Sequence, residues 1–397
     1  MAYPLNDKQS ACVHHGEGPL LVLAGAGSGK TGVIVNRITQ LIKKGIKPTA
    51  ICAVTFTNKA AREMRERVRE LAGKNPKGIF IGTFHSLGLM ILRENHEAAG
   101  IPSNFVIMGQ DDQLTLAREV LVLNGVDTDI FSEKHLIKAV SDWKNSGEAR
   151  DDFFSDEVWA LRVPQKPIAE IVAQYCERLS GMNALDFDDL ILIPENLLGA
   201  NEEVRERYRA RFSHFLADEF QDTNPLQFRF LGRLMREPFN LCAVGDDDQS
   251  IYSWRGADTR IMLEFKQRFP EAEIIALEQN YRSLQYILDI ANHLIAHNTA
   301  RHPKNLYSAV KTPGQAIVFE AEDGLGEAEY VADTIVALKV RQQLDYSAFC
   351  VLYRTNFQSR SFEEVLRQRN IPYHVSGSYQ FYDRSEIKDV LAYLRFF

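Results

Sequence analysis

The chain has 397 residues, of which 45% are hydrophobic and 25% are charged. This length and composition exclude a disordered or fibrous chain and favour two or three globular domains. The net charge of −7 gives no general attraction to nucleic acid, although a local basic groove would still bind it.

The five cysteines are widely scattered and form no CxxC pair, so the sequence predicts neither a zinc site nor a disulfide framework. We therefore expect a reducing, cytoplasmic location. We recognise no signal peptide, and no apolar run has the length that a bilayer requires, so we expect no membrane partner.

The first region alternates short apolar strands with amphipathic helices, which is typical of a parallel sheet with helices on both faces. The predicted strands are Pro19–Leu23, Ile51–Thr55 and Ile79–Thr83, and helical patterns cover Val33–Ile42 and Ala60–Leu71. From about residue 88 the strand signals fade and apolar residues recur at helical spacing. We interpret this change as a helical insertion.

Strand signals return at Phe215–Ala217, Leu241–Val244 and Glu273–Leu277, and again at Ala316–Glu320 and Ser347–Tyr353. The chain is therefore predicted to be α/β, with a sheet interrupted by helices and then a second α/β unit. The predicted domains are residues 1–87 with 200–278 for the first α/β domain, 88–199 for the helical insertion, and 279–397 for the N-terminal part of the second α/β domain.

A glycine-rich segment with the sequence AGAGSGKT follows the first predicted strand and opens a helix, which is the setting of a phosphate-binding P-loop. Its backbone N–H groups and the helix N-terminus would bind phosphate oxygens. Lys30 would reach the β- and γ-phosphates of ATP, and the Thr31 hydroxyl would hold Mg²⁺. A flexible glycine-rich turn is the alternative. The predicted phosphate-binding residues are Ala26, Gly27, Ser28, Gly29, Lys30 and Thr31.

Two carboxylates follow the predicted strand Phe215–Ala217. Asp218 would support Mg²⁺ through its water shell, and Glu219 would orient and deprotonate the attacking water. The alternative, a solvated acidic pair at a strand end, is common, but the preceding P-loop favours the catalytic interpretation.

The segment Asp218–Asn224 resembles motif II of the superfamily 1A DNA helicases. Other segments resemble further motifs of that family, in the same order along the chain. The match is closest to the UvrD, Rep and PcrA helicases, and within them to Rep; it implies a RecA-like P-loop NTPase domain and part of a second one. The further matching segments are residues 5–9, 55–61, 82–86, 186–190, 244–257, 279–283 and 351–360.

The resemblance implies roles for residues around the nucleotide. Gln9 would recognise the adenine edge, Tyr281 would stack on the adenine, and Gln249 would sense the γ-phosphate. Arg282 would be an arginine finger that closes on the γ-phosphate when the two α/β units approach each other.

The resemblance also implies contacts with single-stranded DNA. Tyr252 and Trp254 are two residues apart, so an extended segment would present both rings on one face for base stacking. A buried core position is the alternative for Trp254 and for Phe56. The predicted DNA-binding residues are Phe56, Asn58, Lys59, His85, Tyr252, Trp254, Arg255, Arg354 and Asn356.

Two departures from the family pattern affect these expectations. Gly32 occupies the position where many relatives carry an arginine against the adenine, so we expect weaker nucleotide binding. The later family motifs V and VI do not occur before Phe397, so we expect a fragment of a longer helicase that hydrolyses ATP poorly and does not separate strands.

The resemblance thus implies an ATP- and Mg²⁺-dependent helicase that moves 3′→5′ along single-stranded or partially duplex DNA, with accessory repair or replication proteins as possible partners. A DNA- or partner-binding scaffold with a vestigial P-loop is one alternative. The helicase subunit of a repair helicase–nuclease is another.

Overall fold

A computed structural model of the chain describes residues 4–73, 76–156, 159, 163 and 166–376. The chain divides into two compact units, Met1–Gly314 and Gln315–Phe397. The first unit includes residues 279–314, beyond the predicted domain boundary at residue 278, and that boundary stays a prediction.

A six-stranded parallel sheet forms the centre of the first unit, as the sequence predicted. Its strands are β1 (Leu20–Ala24), β2 (Ile51–Thr55), β3 (Phe80–Thr83), β6 (His214–Ala217), β7 (Leu241–Gly245) and β8 (Glu273–Leu277). They lie in the order β3-β2-β6-β7-β1-β8, so β6 to β8 join the early strands after a long interruption.

Hydrophobic burial on both faces explains why the inner strands are continuous apolar runs. All five residues of β1 are buried. Leu21 and Leu23 pack into one core, while Leu20 and Val22 pack into another on the opposite face. Parallel sheets covered on both sides give this pattern instead of alternating polarity.

The helices of the first unit cover the sheet and build the region between β3 and β6. That region is mainly helical, as predicted, and it also contains the short parallel pair β4 (Val106–Ile107) and β5 (Ala184–Leu185). The helices among the described residues of this unit are α1 (Asp7–His14), α2 (Lys30–Lys43), α3 (Asn58–Ala72), α4 (Phe84–Glu94), α5 (Gln110–Leu123), α6 (Glu133–Ser146), α7 (Arg150–Phe153), α8 (Ile168–Gly181), α9 (Asp189–Ala200), α10 (Glu202–Arg211), α11 (Pro225–Leu234), α12 (Arg260–Leu263), α13 (Phe265–Arg268) and α14 (Gln285–Ile295).

After β8, a short parallel pair closes the first unit. It consists of β9 (Gln279–Asn280) and β10 (Tyr307–Ser308), with α14 between them in sequence.

The second unit packs α15 (Gly324–Gln342) against α16 (Ser359–Gln368), with Ala332, Phe362 and Val365 in their shared core. The predicted strands at residues 316–320 and 347–353 are wrong for the described part of the chain. Residues 346–348 form a 3₁₀ turn, and the rest have no ladder of backbone hydrogen bonds. Val318 and Leu352 are exposed there. A segment of high β-propensity becomes a strand only beside a partner strand, and these segments have none among the described residues.

All five cysteines are free thiols. Among the described helices, none is long and apolar enough to cross a membrane.

Candidate nucleotide cleft and aromatic groove

The predicted site segments of the first unit lie at one edge of the sheet. The P-loop follows β1, the carboxylate pair follows β6, and Asp246 follows β7. The segments containing Phe56 and His85 follow β2 and β3. Because all these strands are parallel, their carboxyl ends meet along a single edge, where ligands of α/β proteins usually bind.

The P-loop makes a tight turn before α2. Gly27 and Gly29 have φ values of +70° and +87°, in the left-handed region that glycine adopts without strain. A Cβ on Gly29 would lie 2.9 Å from Gln9 Nε2, so a side chain there would displace the Gln9 amide. The Ser28 hydroxyl donates to the carbonyl of Gly25 at 2.7 Å and closes the loop.

Lys30, at the start of α2, reaches the carboxylate after β6. Its Nζ donates to Glu219 Oε2 at 2.9 Å, and Gln221 Nε2 donates to the same oxygen at 2.9 Å. Burial alone would raise the pKa of Glu219, but Lys30 and Gln221 outweigh it and hold the pKa below its usual range. The carboxylate is therefore ionised near neutral pH and fixed in place.

Asp218 is buried beside this pair. Burial, together with the charge of Glu219, raises its pKa from 3.8 to about 6. Burial also raises the pKa of Asp222. Its Oδ1 is a buried atom without a hydrogen-bond partner. These carboxylates are groups whose charge a nearby cation would stabilise.

The predicted adenine-side residues lie against the P-loop. Gln9 Nε2 donates to the carbonyl of Ser28 at 2.9 Å, and the Tyr281 backbone N–H donates to the carbonyl of Gly27 at 2.9 Å. Asn6, just before the helix that carries Gln9, donates from Nδ2 to the Tyr281 hydroxyl at 2.9 Å and so links the segments of Gln9 and Tyr281. The structure thus brings Gln9 and Tyr281 together around one loop.

Arg282 lies beside the P-loop, and Gln249 lies at the end of β7. Arg282 belongs to the first compact unit, and its exposed side chain begins beside Gly27. Its backbone N–H donates to Asn280 Oδ1 at 2.8 Å. The Gln249 amide donates to Asp246 Oδ2, which fixes that side chain at the end of β7.

An aromatic groove of about 1150 Å³ lies at the same edge, beyond the carboxylates. Phe56, His85, Phe187 and Trp254 are among the residues that line it. The Phe56 and Tyr252 rings are stacked with centroids 4.9 Å apart, and His85 stacks on Phe187 at 3.8 Å. Burial lowers the pKa of His85 to about 4, so His85 is neutral and offers a ring rather than a charge.

Trp254 is 60% exposed, so the core interpretation of this residue is wrong. The extended backbone predicted for this segment is also wrong, because Ser253–Arg255 forms a 3₁₀ turn. The Tyr252 and Trp254 rings are nevertheless neighbours, with centroids 6.2 Å apart. The turn brings them together by curvature instead of by strand alternation.

Of the other predicted DNA-binding residues, Asn58 and Lys59 are exposed in the first turn of α3, and Asn58 also lines the aromatic groove. The side chain of Arg255 lies outside the described part of the chain. Arg354 and Asn356 are exposed in the second unit, just before α16.

Several residues in and around the site were not predicted individually, among them Gln221, Phe187 and Lys304. Gln221 links Glu219 to Asp246, whose backbone N–H donates to Gln221 Oε1 at 3.0 Å. Gln221 and Phe187 lie inside segments that matched the helicase motifs, so the sequence carried a signal for them. Lys304, described below, lies outside every such segment.

Comparison with known proteins agrees with this architecture. The UvrD/REP helicase N-terminal domain matches residues 5–270, and the UvrD-like helicase C-terminal domain matches residues 275–397. The chain is 43% identical to two proteins named ATP-dependent DNA helicase PcrA, over 392 residues in Staphylococcus epidermidis and 393 in Staphylococcus aureus. These alignments cover 98% of the chain and 53% of each relative, so the chain spans about half their length. Since the first domain alone matches most of the chain, the chain belongs to the UvrD/Rep helicase family.

Proposed function

We propose that the chain binds and hydrolyses ATP at the P-loop and couples this reaction to movement along single-stranded DNA in the aromatic groove. The observation that carries the proposal is the hydrogen-bonded set of Lys30, Glu219 and Gln221, with both donors 2.9 Å from one carboxylate oxygen. It lies at the same sheet edge as a groove whose rings can stack on unpaired bases, at roughly 1–3 kcal/mol per base.

In this mechanism the P-loop amides and Lys30 bind the phosphates. Glu219 orients the attacking water and accepts its proton, and Arg282 stabilises charge on the γ-phosphate. Gln249 is hydrogen-bonded to Asp246 and lies in the same segment as Tyr252 and Trp254, so it can transmit the state of the nucleotide to the groove.

Thr31 and Asp218 would hold Mg²⁺, which neutralises charge on the phosphates when bound. A hydroxyl and a carboxylate are oxygen donors of the type that Mg²⁺ prefers. Asp218, whose charge is destabilised by burial, fits such an ion well.

The direction of movement, 3′→5′, follows from the family resemblance. A motor of this polarity displaces streptavidin from a biotin at the 5′ end of an oligonucleotide and leaves a 3′ block in place. Displacement from the 3′ end would contradict the proposed direction.

The central test is ATP hydrolysis by the 397-residue chain with and without a single-stranded oligonucleotide. We expect low hydrolysis that DNA stimulates, and Lys30→Ala should abolish it. Lys43→Ala, which removes an exposed lysine from the last turn of the same helix, is the matched control and should retain the activity. DNA binding without any Lys30-dependent hydrolysis would favour the scaffold instead.

A further inference from the structure

A buried lysine outside the predicted motifs contacts three consecutive aspartates at the end of β7. The side chain of Lys304 is 2% exposed. Its Nζ lies 3.0 Å from Asp246 Oδ1, 2.6 Å from Asp247 Oδ1 and 2.8 Å from Asp248 Oδ2. Three adjacent carboxylates repel one another, so a single buried cation that reaches all of them holds the turn closed.

The residues beside Lys304 reinforce this contact. Arg301 donates from Nε and Nη2 to the two carboxylate oxygens of Asp248 at 2.8 and 2.7 Å, a bidentate pair. The backbone N–H of His302 donates to Asp247 Oδ2 at 2.7 Å. Residues 301–304 therefore clamp the start of the segment 246–254 from outside the sheet.

Asp246, one of the three aspartates that Lys304 contacts, is also hydrogen-bonded to the proposed catalytic residues. One oxygen of Asp246 faces Lys304, and the other accepts from the Gln249 amide. The Asp246 backbone N–H donates to Gln221, which in turn donates to Glu219. Moving Asp246 would thus displace Gln249 and loosen the link to Glu219.

We propose that Lys304, assisted by Arg301, is a positioning residue that fixes the segment 246–254 and so couples the nucleotide cleft to the aromatic groove. The same segment carries Gln249 near its start and Tyr252 and Trp254 near its end. The inference rests on the proposed function, because coupling requires both ligands to bind.

The test measures the affinity of the 397-residue chain for a fluorescent ATP analogue with and without oligo-dT. The ratio of the two dissociation constants is the coupling, expected at roughly 5- to 150-fold in the wild type. Lys304→Met should leave the affinity without DNA within about threefold and bring the ratio close to 1. Lys266→Met, at an exposed lysine of α13, is the matched control and should keep the wild-type ratio.

A double-mutant cycle separates positioning from general damage. If Lys304 acts through Gln249, Gln249→Ala alone should bring the ratio as close to 1 as Lys304→Met does, and the double variant should match both. A ratio that survives Lys304→Met, or one that survives Gln249→Ala, would overturn the proposal. If Lys304→Met does not fold, Arg301→Gln decides: a reduced ratio supports the clamp and an unchanged ratio rejects it.

The outcome also distinguishes the two proposals. A wild-type chain that binds neither ligand refutes the proposed function and this inference with it. A wild-type chain that binds both ligands without coupling refutes this inference alone.

Discussion

Position 32, in the first turn of α2, has room for a side chain. A Cβ on Gly32 would have no heavy atom within 4 Å, and the position is helical. We expect Gly32→Arg to tighten ATP binding about fivefold, because a guanidinium over an aromatic ring contributes about 1 kcal/mol. Titration with a fluorescent ATP analogue measures this.

Gly32→Ala is the control for that substitution. Both changes replace a helical glycine and should raise the melting temperature, since glycine costs up to about 1 kcal/mol in a helix. Only the arginine should change the affinity for ATP. Equal affinities for all three chains would show that no adenine contact is gained at this position.

His85 makes the stability of the chain depend on pH. Its pKa falls from 6.5 to about 4 on folding because the half-buried ring loses most of its contact with water. Between these values the unfolded state binds more protons, so the free energy of unfolding falls as pH decreases from 6.5 towards 4, by on the order of 3 kcal/mol from this residue. His85→Phe keeps an aromatic ring beside Phe187 and should remove this contribution to the pH dependence of the free energy of unfolding. Urea unfolding at several pH values measures that dependence. An unchanged dependence in His85→Phe would show that His85 is not its source.

At the scale of secondary-structure elements, a buried ion triad ties α6 to the turn before α9. Lys144 Nζ donates to Asp186 Oδ2 and Asp189 Oδ1, both at 2.6 Å, and the lysine side chain is 2% exposed. Lys144→Met leaves two buried carboxylates without their cation. We expect it to lower the free energy of unfolding by roughly 3–5 kcal/mol.

Chemical denaturation measures this effect, and two further variants define it. Lys138→Met removes an exposed i,i+4 pair with Asp142 and should cost less than about 0.5 kcal/mol. Adding Asp186→Asn and Asp189→Asn to Lys144→Met should recover part of the loss, because the uncompensated charges disappear. A loss no larger than that of Lys138→Met would argue against a structural role for the triad.

At the scale of the whole molecule, the proposed nucleotide residues all lie in the first compact unit. We expect a fragment of residues 1–314 to unfold cooperatively and to bind an ATP analogue within about threefold of the full chain. A fragment of residues 1–278 lacks Tyr281 and Arg282, which lie against the P-loop, and should bind it much more weakly. Equal binding by both fragments would place the functional boundary at residue 278 after all.

The sequence alone predicted the sheet strands of the first unit closely, because continuous apolar runs such as Leu20–Ala24 are long, buried and bounded by clear turns. It failed at Ala316–Glu320 and Ser347–Tyr353, where β-propensity indicated strands but the described residues contain no pairing partner. Propensity reports what a segment can form, whereas a strand also needs a neighbour that only tertiary structure supplies.

The candidate site shows the same limit. Lys30 and Glu219 were predicted because local spacing and strand context specify their roles. Lys304 was not, because its three carboxylate partners lie more than fifty residues away and nothing in its local sequence marks it. Burial of a charge is a property of the fold, and single-sequence patterns do not report it.

The position of β1 in the sheet has a consequence for how the protein is made. Leu20 is in register with Cys242 on one side and with Glu273 on the other, so both neighbours of this strand are synthesised after the entire helical region. On the ribosome, the strand that leads into the phosphate loop emerges before both of its neighbours and then lacks partners while more than two hundred further residues are added. Such non-local pairing slows folding and leaves an apolar strand open to aggregation. The phosphate loop is therefore among the earliest parts of the site to be translated and among the last to be assembled.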